Sequence, residues 1–98
     1  MTIKQVALES TFQEMGYASS TDYAVKKARE ELLKELKISL DAVDLFEKKY
    51  GMGYIEFAKT FYELTQFSLF EREDDSMDWR AELEVILVVE KRLTRLTV

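Results

Sequence analysis

Proline is absent from the 98 residues, and only three glycines, Gly16, Gly51 and Gly53, interrupt them. A chain without proline keeps every backbone N–H available for helical pairing, and so few glycines leave few positions where a helix must stop. Long helices are therefore the expected response of this backbone.

The clearest one lies between Asp22 and Tyr50. Val25, Ala28, Leu32, Leu36, Val43, Phe46 and Tyr50 fall at three- and four-residue steps, with Ser39 holding the place between Leu36 and Val43, which makes one continuous apolar stripe. Thr21 or Asp22 can cap the start, and Gly51 can take the left-handed conformation that ends a helix. Such a rod is about 43 Å long at the standard rise, more than the short helix after it can cover. A break near Lys37-Ile38-Ser39, with Ser39 as a new cap, is the alternative; the unbroken form is the expectation.

Beyond Gly51-Met52-Gly53 the pattern resumes in Ile55, Ala58, Phe61, Tyr62 and Leu64, predicting a second helix over 54–66. Glu71-Arg72-Glu73-Asp74-Asp75-Ser76 reads as an acidic loop, with Asp75 or Ser76 capping a last helix over 75–97. In that helix Val85-Ile86-Leu87-Val88-Val89 is apolar all round and could equally be a buried strand. The flanking Glu82, Glu84, Glu90, Lys91 and Arg92, and the lack of a second strand to pair with it, favour helix. Residues 1–20 suit a short helix ending near Gly16, with a strand over Thr2 to Leu8 as the alternative. The whole chain, 1–98, thus reads as a single all-α domain: a variable segment 1–20, a long helix 21–50, then 54–66 and 75–97, in an open bundle or helical hairpin expected to be oligomeric.

Cysteine and histidine are both absent. Disulfides, thiolate nucleophiles, the commonest general base and most zinc chemistry go with them, so the expectation is a protein that is not an enzyme and uses no cofactor and no metal. Hydrophobic residues at 47% and charged residues at 34% describe a folding chain. The net charge of -5 opposes non-specific nucleic-acid binding. MTIKQVALES lacks the features of a signal peptide, and no apolar run approaches the ~20 residues of a membrane span; a cytoplasmic location without membrane contact is expected.

Among candidate sites, the acidic cluster Glu71, Glu73, Asp74, Asp75 and Asp78 offers oxygen ligands, but it lacks the spacing and glycine of a calcium loop. A solvated turn, or a patch steering a basic partner, accounts for it better. Trp79, the sole tryptophan, is either core bulk or an interface hot spot, with core favoured. The girdle Val85–Val89 needs cover on several sides, from this chain or from a second subunit. Lys26, Lys27, Arg29, Lys34 and Lys37 are interleaved with Glu30, Glu31 and Glu35 at helical spacing, the pattern of a salt-bridged solvent face.

Four segments carry a resemblance: Arg29-Glu30-Glu31-Leu32-Leu33-Lys34-Glu35-Leu36, Phe46-Glu47-Lys48-Lys49-Tyr50-Gly51-Met52, Ile55-Glu56-Phe57, and Asp74-Asp75-Ser76-Met77-Asp78-Trp79. Together they are similar to a group of short prokaryotic antitoxin-like proteins encoded beside a small toxin gene, over residues 24 to 96. The departures are Gly53, where that group tends to place a serine cap, and Arg80-Ala81 after the tryptophan. The resemblance implies a protein that binds and inhibits a cognate toxin. With the missing chemistry and the excess apolar surface, it nominates Tyr50, Met52, Phe57 and Phe61 around the Gly-Met turn and Trp79, Leu83, Ile86 and Leu87 on the last helix as partner-binding residues. Two alternatives stand beside it. One is a homo-oligomeric helical structural or regulatory protein; the other is a weak DNA-binding autoregulator acting through the N-terminal segment, where Met15 to Ser20 resembles part of ribbon-helix-helix repressors.

Overall fold

The computed structural model describes residues 2–96. Four α-helices make the fold, α1 (Ile3–Glu14), α2 (Ser20–Tyr50), α3 (Tyr54–Lys59) and α4 (Leu69–Leu96), with a 3-10 turn at Phe61–Glu63 between the last two; there is no strand among the described residues.

α2 is unbroken over 31 residues, about 46 Å at the standard rise. It starts two to three residues earlier than a Thr21 or Asp22 cap predicts. Ser19 is the cap, its hydroxyl accepting from the Asp22 N–H at 3.0 Å, while Asp22 Oδ2 accepts from the Ala18 N–H. Gly51 ends the helix at φ +70°, a conformation that costs glycine nothing. Ser39 does not break α2, because it faces inward and is buried; a polar residue at a close helix contact is tolerated where a large one would separate the rods.

α4 runs antiparallel to α2. Tyr50 meets Asp75, Phe46 stacks on Trp79, and Arg29 donates to the Leu96 carbonyl. In each pair the two residue numbers add to 125, so one register holds for the whole length. That register sets small Ser39 level with Ile86 and Leu36 level with Val89.

Two sequence expectations are corrected in this half of the chain. The acidic segment 71–76 is not a loop but the first turns of α4, because Ser68 caps the helix and accepts from the Glu71 N–H at 3.1 Å. The Ser68-Leu69-Phe70-Glu71 sequence is a capping-box signature that the acidity of the segment obscured. The second helix is shorter than 54–66. α3 stops at Lys59 and the chain turns through Phe61–Glu63, where the Glu63 N–H donates to the Thr60 carbonyl and Arg72 donates to the Phe61 carbonyl at 2.5 Å.

The N-terminal segment is helical rather than a strand, opened by a reciprocal Thr2–Gln5 capping box. α1 has no buried residue. It is held to the start of α2 by Phe12 and Tyr17 against Tyr23, at ring distances of 4.6 and 4.9 Å, and by Glu9 accepting from the Ser20 N–H and hydroxyl.

The outcome is a rod of 67 × 19 × 18 Å with a radius of gyration of 20.9 Å, against about 13 Å for a compact domain of this length. Its buried hydrophobic residues are Val43, Tyr50, Phe57, Leu64, Trp79, Ile86 and Val89. Most of them gather at the hairpin's closed end.

Candidate partner-binding surface

The closed end is built around an aromatic cluster. Trp79, fully buried, lies 5.5 Å from Phe46, 5.1 Å from Phe57, 5.4 Å from Tyr54 and 6.0 Å from Tyr50 between ring centres. Tyr50 also packs on Phe57 and Phe67, each at 4.6 Å. The Gly51-Met52-Gly53 turn makes this possible, folding α3 back so that Tyr54, Phe57 and Phe61 point at the α2–α4 seam.

A polar latch closes one side. Tyr50 donates to Asp75 Oδ2 at 2.6 Å, and Lys49 Nζ reaches Asp75 at 2.6 Å and Glu71 at 2.7 Å. Burial, reinforced by the bond to Asp75, pushes the Tyr50 hydroxyl well above its ordinary range. Hydrogen bonds to Asp75 and then Glu71 raise the Lys49 ammonium in the same direction. On the other side Arg72 is buried, donating to the carbonyls of Ser68 and Phe61 and lying 5.3 Å over the Phe61 ring. Two of the acidic cluster's carboxylates thus share Lys49 as an ion-pair partner, and no group of three His, Cys, Asp or Glu among the described residues could hold a metal ion.

The eight nominated partner-binding residues do not share one fate. Tyr50, Phe57, Trp79 and Ile86 are buried in the chain's own interior, so their side chains support the surface from beneath rather than form it. Met52, Phe61 and Leu83 are half-buried against that core. Leu87 alone is open, 62% exposed. The reason is helical phase. Trp79, Ile86 and Val89 recur on the side facing α2, whereas Leu87 and Val88 are exposed. The girdle is therefore half covered, by α2, and half bare.

Two residues of the apolar pattern expected for the second helix, Ile55 and Tyr62, turn out to lie on the exposed surface. Ile55 is 72% and Tyr62 82% exposed. The inward set is instead Tyr54, Phe57 and Phe61, because α3 ends at Lys59 and Tyr62 falls in the 3-10 turn. Ile55 lines an apolar groove of about 640 Å³ with Gly53, Tyr54, Glu56, Lys59 and Leu83. Leu87, one turn beyond Leu83 on α4, is exposed just outside that lining. Glu56 and Lys59 give the groove one charge of each sign at its rim.

Elsewhere on α2, Lys26 pairs with Asp22, Lys27 with Glu30, Lys37 with Asp41 and Lys48 with Asp44; of these only Lys27–Glu30 joins two of the interleaved charges, and Arg29 donates instead to the Leu96 carbonyl. No helix of the described residues is long and apolar enough to cross a membrane. No protein-family model, no curated protein and no solved structure matches the chain.

Proposed function

We propose that this chain is a non-enzymatic protein-binding module that docks an apolar segment of a cognate partner in the groove between α3 and α4, in the manner of an antitoxin holding a small toxin. The observation that supports this most is the shallow apolar groove lined by Ile55 and Leu83, with exposed Leu87 one turn beyond Leu83, on a rod whose own interior is confined largely to one end. Exposed aliphatic side chains gathered in a concave surface lose contact with water when a partner covers them, a gain of roughly 25 cal/mol per Å² of apolar area. The buried aromatic cluster beneath keeps the groove in shape, so little ordering cost falls on binding. The choice of a toxin as partner rests on the sequence resemblance.

Co-expression with the product of the adjacent open reading frame is the test. The expected result is a stoichiometric complex that Ile55→Asp and Leu87→Asp weaken together without loss of helicity. Absence of any complex, or a complex indifferent to both substitutions, would refute the reading.

A further inference from the structure

The outer face of α4 carries a second apolar stripe that the groove does not use, and α2 reaches it only through Glu35, which lines a shallow pocket with Ala81, Glu84, Val85 and Val88. Phe70, Met77, Ala81 and Val88 follow one another at steps of seven, four and seven residues, one line along the helix. Phe70 is 79%, Met77 65% and Val88 45% exposed. Glu73 and Asp74 flank the stripe near its start; Lys91 and Arg92 flank it near its end. All four are exposed. Although the chain pairs Lys26, Lys27, Lys37, Lys48 and Lys49 internally, none of these four forms an ion pair with a described residue.

We propose that this face pairs with the same face of a second copy of the chain, antiparallel, about a two-fold axis near Glu82 and Leu83. The charge pattern selects that occupant and that direction. In an antiparallel pair, flanking positions on one side of the seam meet flanking positions on the same side of the other helix. With the axis at that point, Glu73 faces Lys91 of the second copy and Asp74 faces Arg92, each contact occurring twice by symmetry. Met77 then lies level with Val88, and Phe70 level with Arg95, a cation over a ring. A parallel pair would instead set Glu73 and Asp74 against their own copies, and like charges at that spacing repel. The contact runs about 38 Å from Phe70 to Arg95 with three large apolar side chains on each helix. That is at the small end of specific interfaces, so the dimer dissociates in the micromolar range. Pairing here goes beyond the partner-binding reading and does not depend on it, since it leaves the α3–α4 groove open.

Sedimentation of the purified full chain, from micromolar to near-millimolar concentration, reads the dimer directly. Glu73→Lys with Asp74→Arg turns all four symmetry-related contacts repulsive and is expected to weaken association at least about tenfold. Lys91→Glu with Arg92→Asp should do the same. The chain carrying all four substitutions exchanges the two clusters and is expected to recover self-association, which only the antiparallel arrangement allows. Every substituted residue is exposed, and far-UV circular dichroism checks that each variant keeps its helices. As a second readout, the chain has no cysteine of its own; a mixture of Met77→Cys and Val88→Cys chains should cross-link 77 to 88 in preference to 77 to 77. A monomer across the whole range, a dimer unmoved by either charge reversal, a fourfold variant that stays dissociated, or 77-to-77 cross-links would each overturn the proposal. Because no heterologous partner is present in these measurements, their outcome is separate from that of the co-expression test.

Discussion

Replacing Trp79 with alanine should bring the molecule close to unfolding, whereas the same truncation at Leu87 should hardly register. Trp79 is fully buried and its indole lies within 6.0 Å of four other rings. Truncating a buried tryptophan to alanine costs about 3–5 kcal/mol, combining lost transfer energy with the cavity left behind. Chains of this length are stable by roughly 5–15 kcal/mol, and so extended a rod, with its interior gathered at one end, belongs near the lower bound. A loss of that size lowers the ratio of folded to unfolded molecules by roughly two to four powers of ten. Leu87, largely exposed, has little burial to lose, and its truncation should fall within about 0.5 kcal/mol of the parent. Urea denaturation followed by far-UV circular dichroism measures both, the helical signal being independent of the tryptophan removed. Should Trp79→Ala lose less than about 1 kcal/mol, or Leu87→Ala lose as much as Trp79→Ala, the aromatic cluster would not be the structural centre argued above.

Arg72→Lys should destabilise nearly as much as Arg72→Ala, by roughly 2 kcal/mol, because a point-charge ammonium cannot span the Ser68 and Phe61 carbonyls as a planar fork does; thermal melts of the two variants compare them. Gly51→Ala forces a side chain into φ +70° and should cost about 1–2 kcal/mol in the same assay. Gly53→Ser, by contrast, should stabilise by a few tenths of a kcal/mol, since Gly53 stands at the N-cap of α3 with φ -77° and no side-chain cap, and an added Cβ meets nothing within 4 Å. At alkaline pH, Tyr50 and Lys49 act in one direction. Both are held above their ordinary values of 10.0 and 10.5, so the stability they contribute is fully present below pH 10 and is lost as pH rises further. An absorbance titration of the tyrosinate should therefore show one tyrosine ionising after its ordinary value, together with loss of helicity, and Tyr50→Phe should remove that late component. At the opposite end of the rod, hydrogen bonds from Ser20 hold the Glu9 carboxyl below its ordinary 4.5. Its tie between α1 and α2 is present above that pH and lost as pH falls through the lowered value, so α1 resonances should hold at pH 4.5 and shift only in more acid solution.

Helical class and the C-terminal end of the long helix were legible in the residues alone. The absence of proline and the Val25-to-Tyr50 stripe are local properties, and Gly51 stops a helix through its own backbone freedom, whatever packs nearby. Trp79 as core bulk was legible for a similar reason, since so large an apolar side chain among helical periodicities is most often buried. The start of α4 was present in the sequence as Ser68-x-x-Glu71 but was outweighed by the run of carboxylates, which looks like a loop until Lys49 is brought across from α2 to pair with two of them. That pairing depends on residues 22 and 26 positions apart and has no local signature. The turn after α3 is held in a similar way, Arg72 reaching a carbonyl eleven residues before it. Nor could the sequence divide the nominated interface into buried and open residues. Tyr50, Ile55, Phe57, Trp79, Ile86 and Leu87 are all large and apolar, and which of them meets water is set by the rotational phase at which α2, α3 and α4 pack. Periodicity determines that a helix has a greasy face; only the tertiary arrangement decides which greasy face is covered, because burial is a relation between elements and each stripe specifies only one of them.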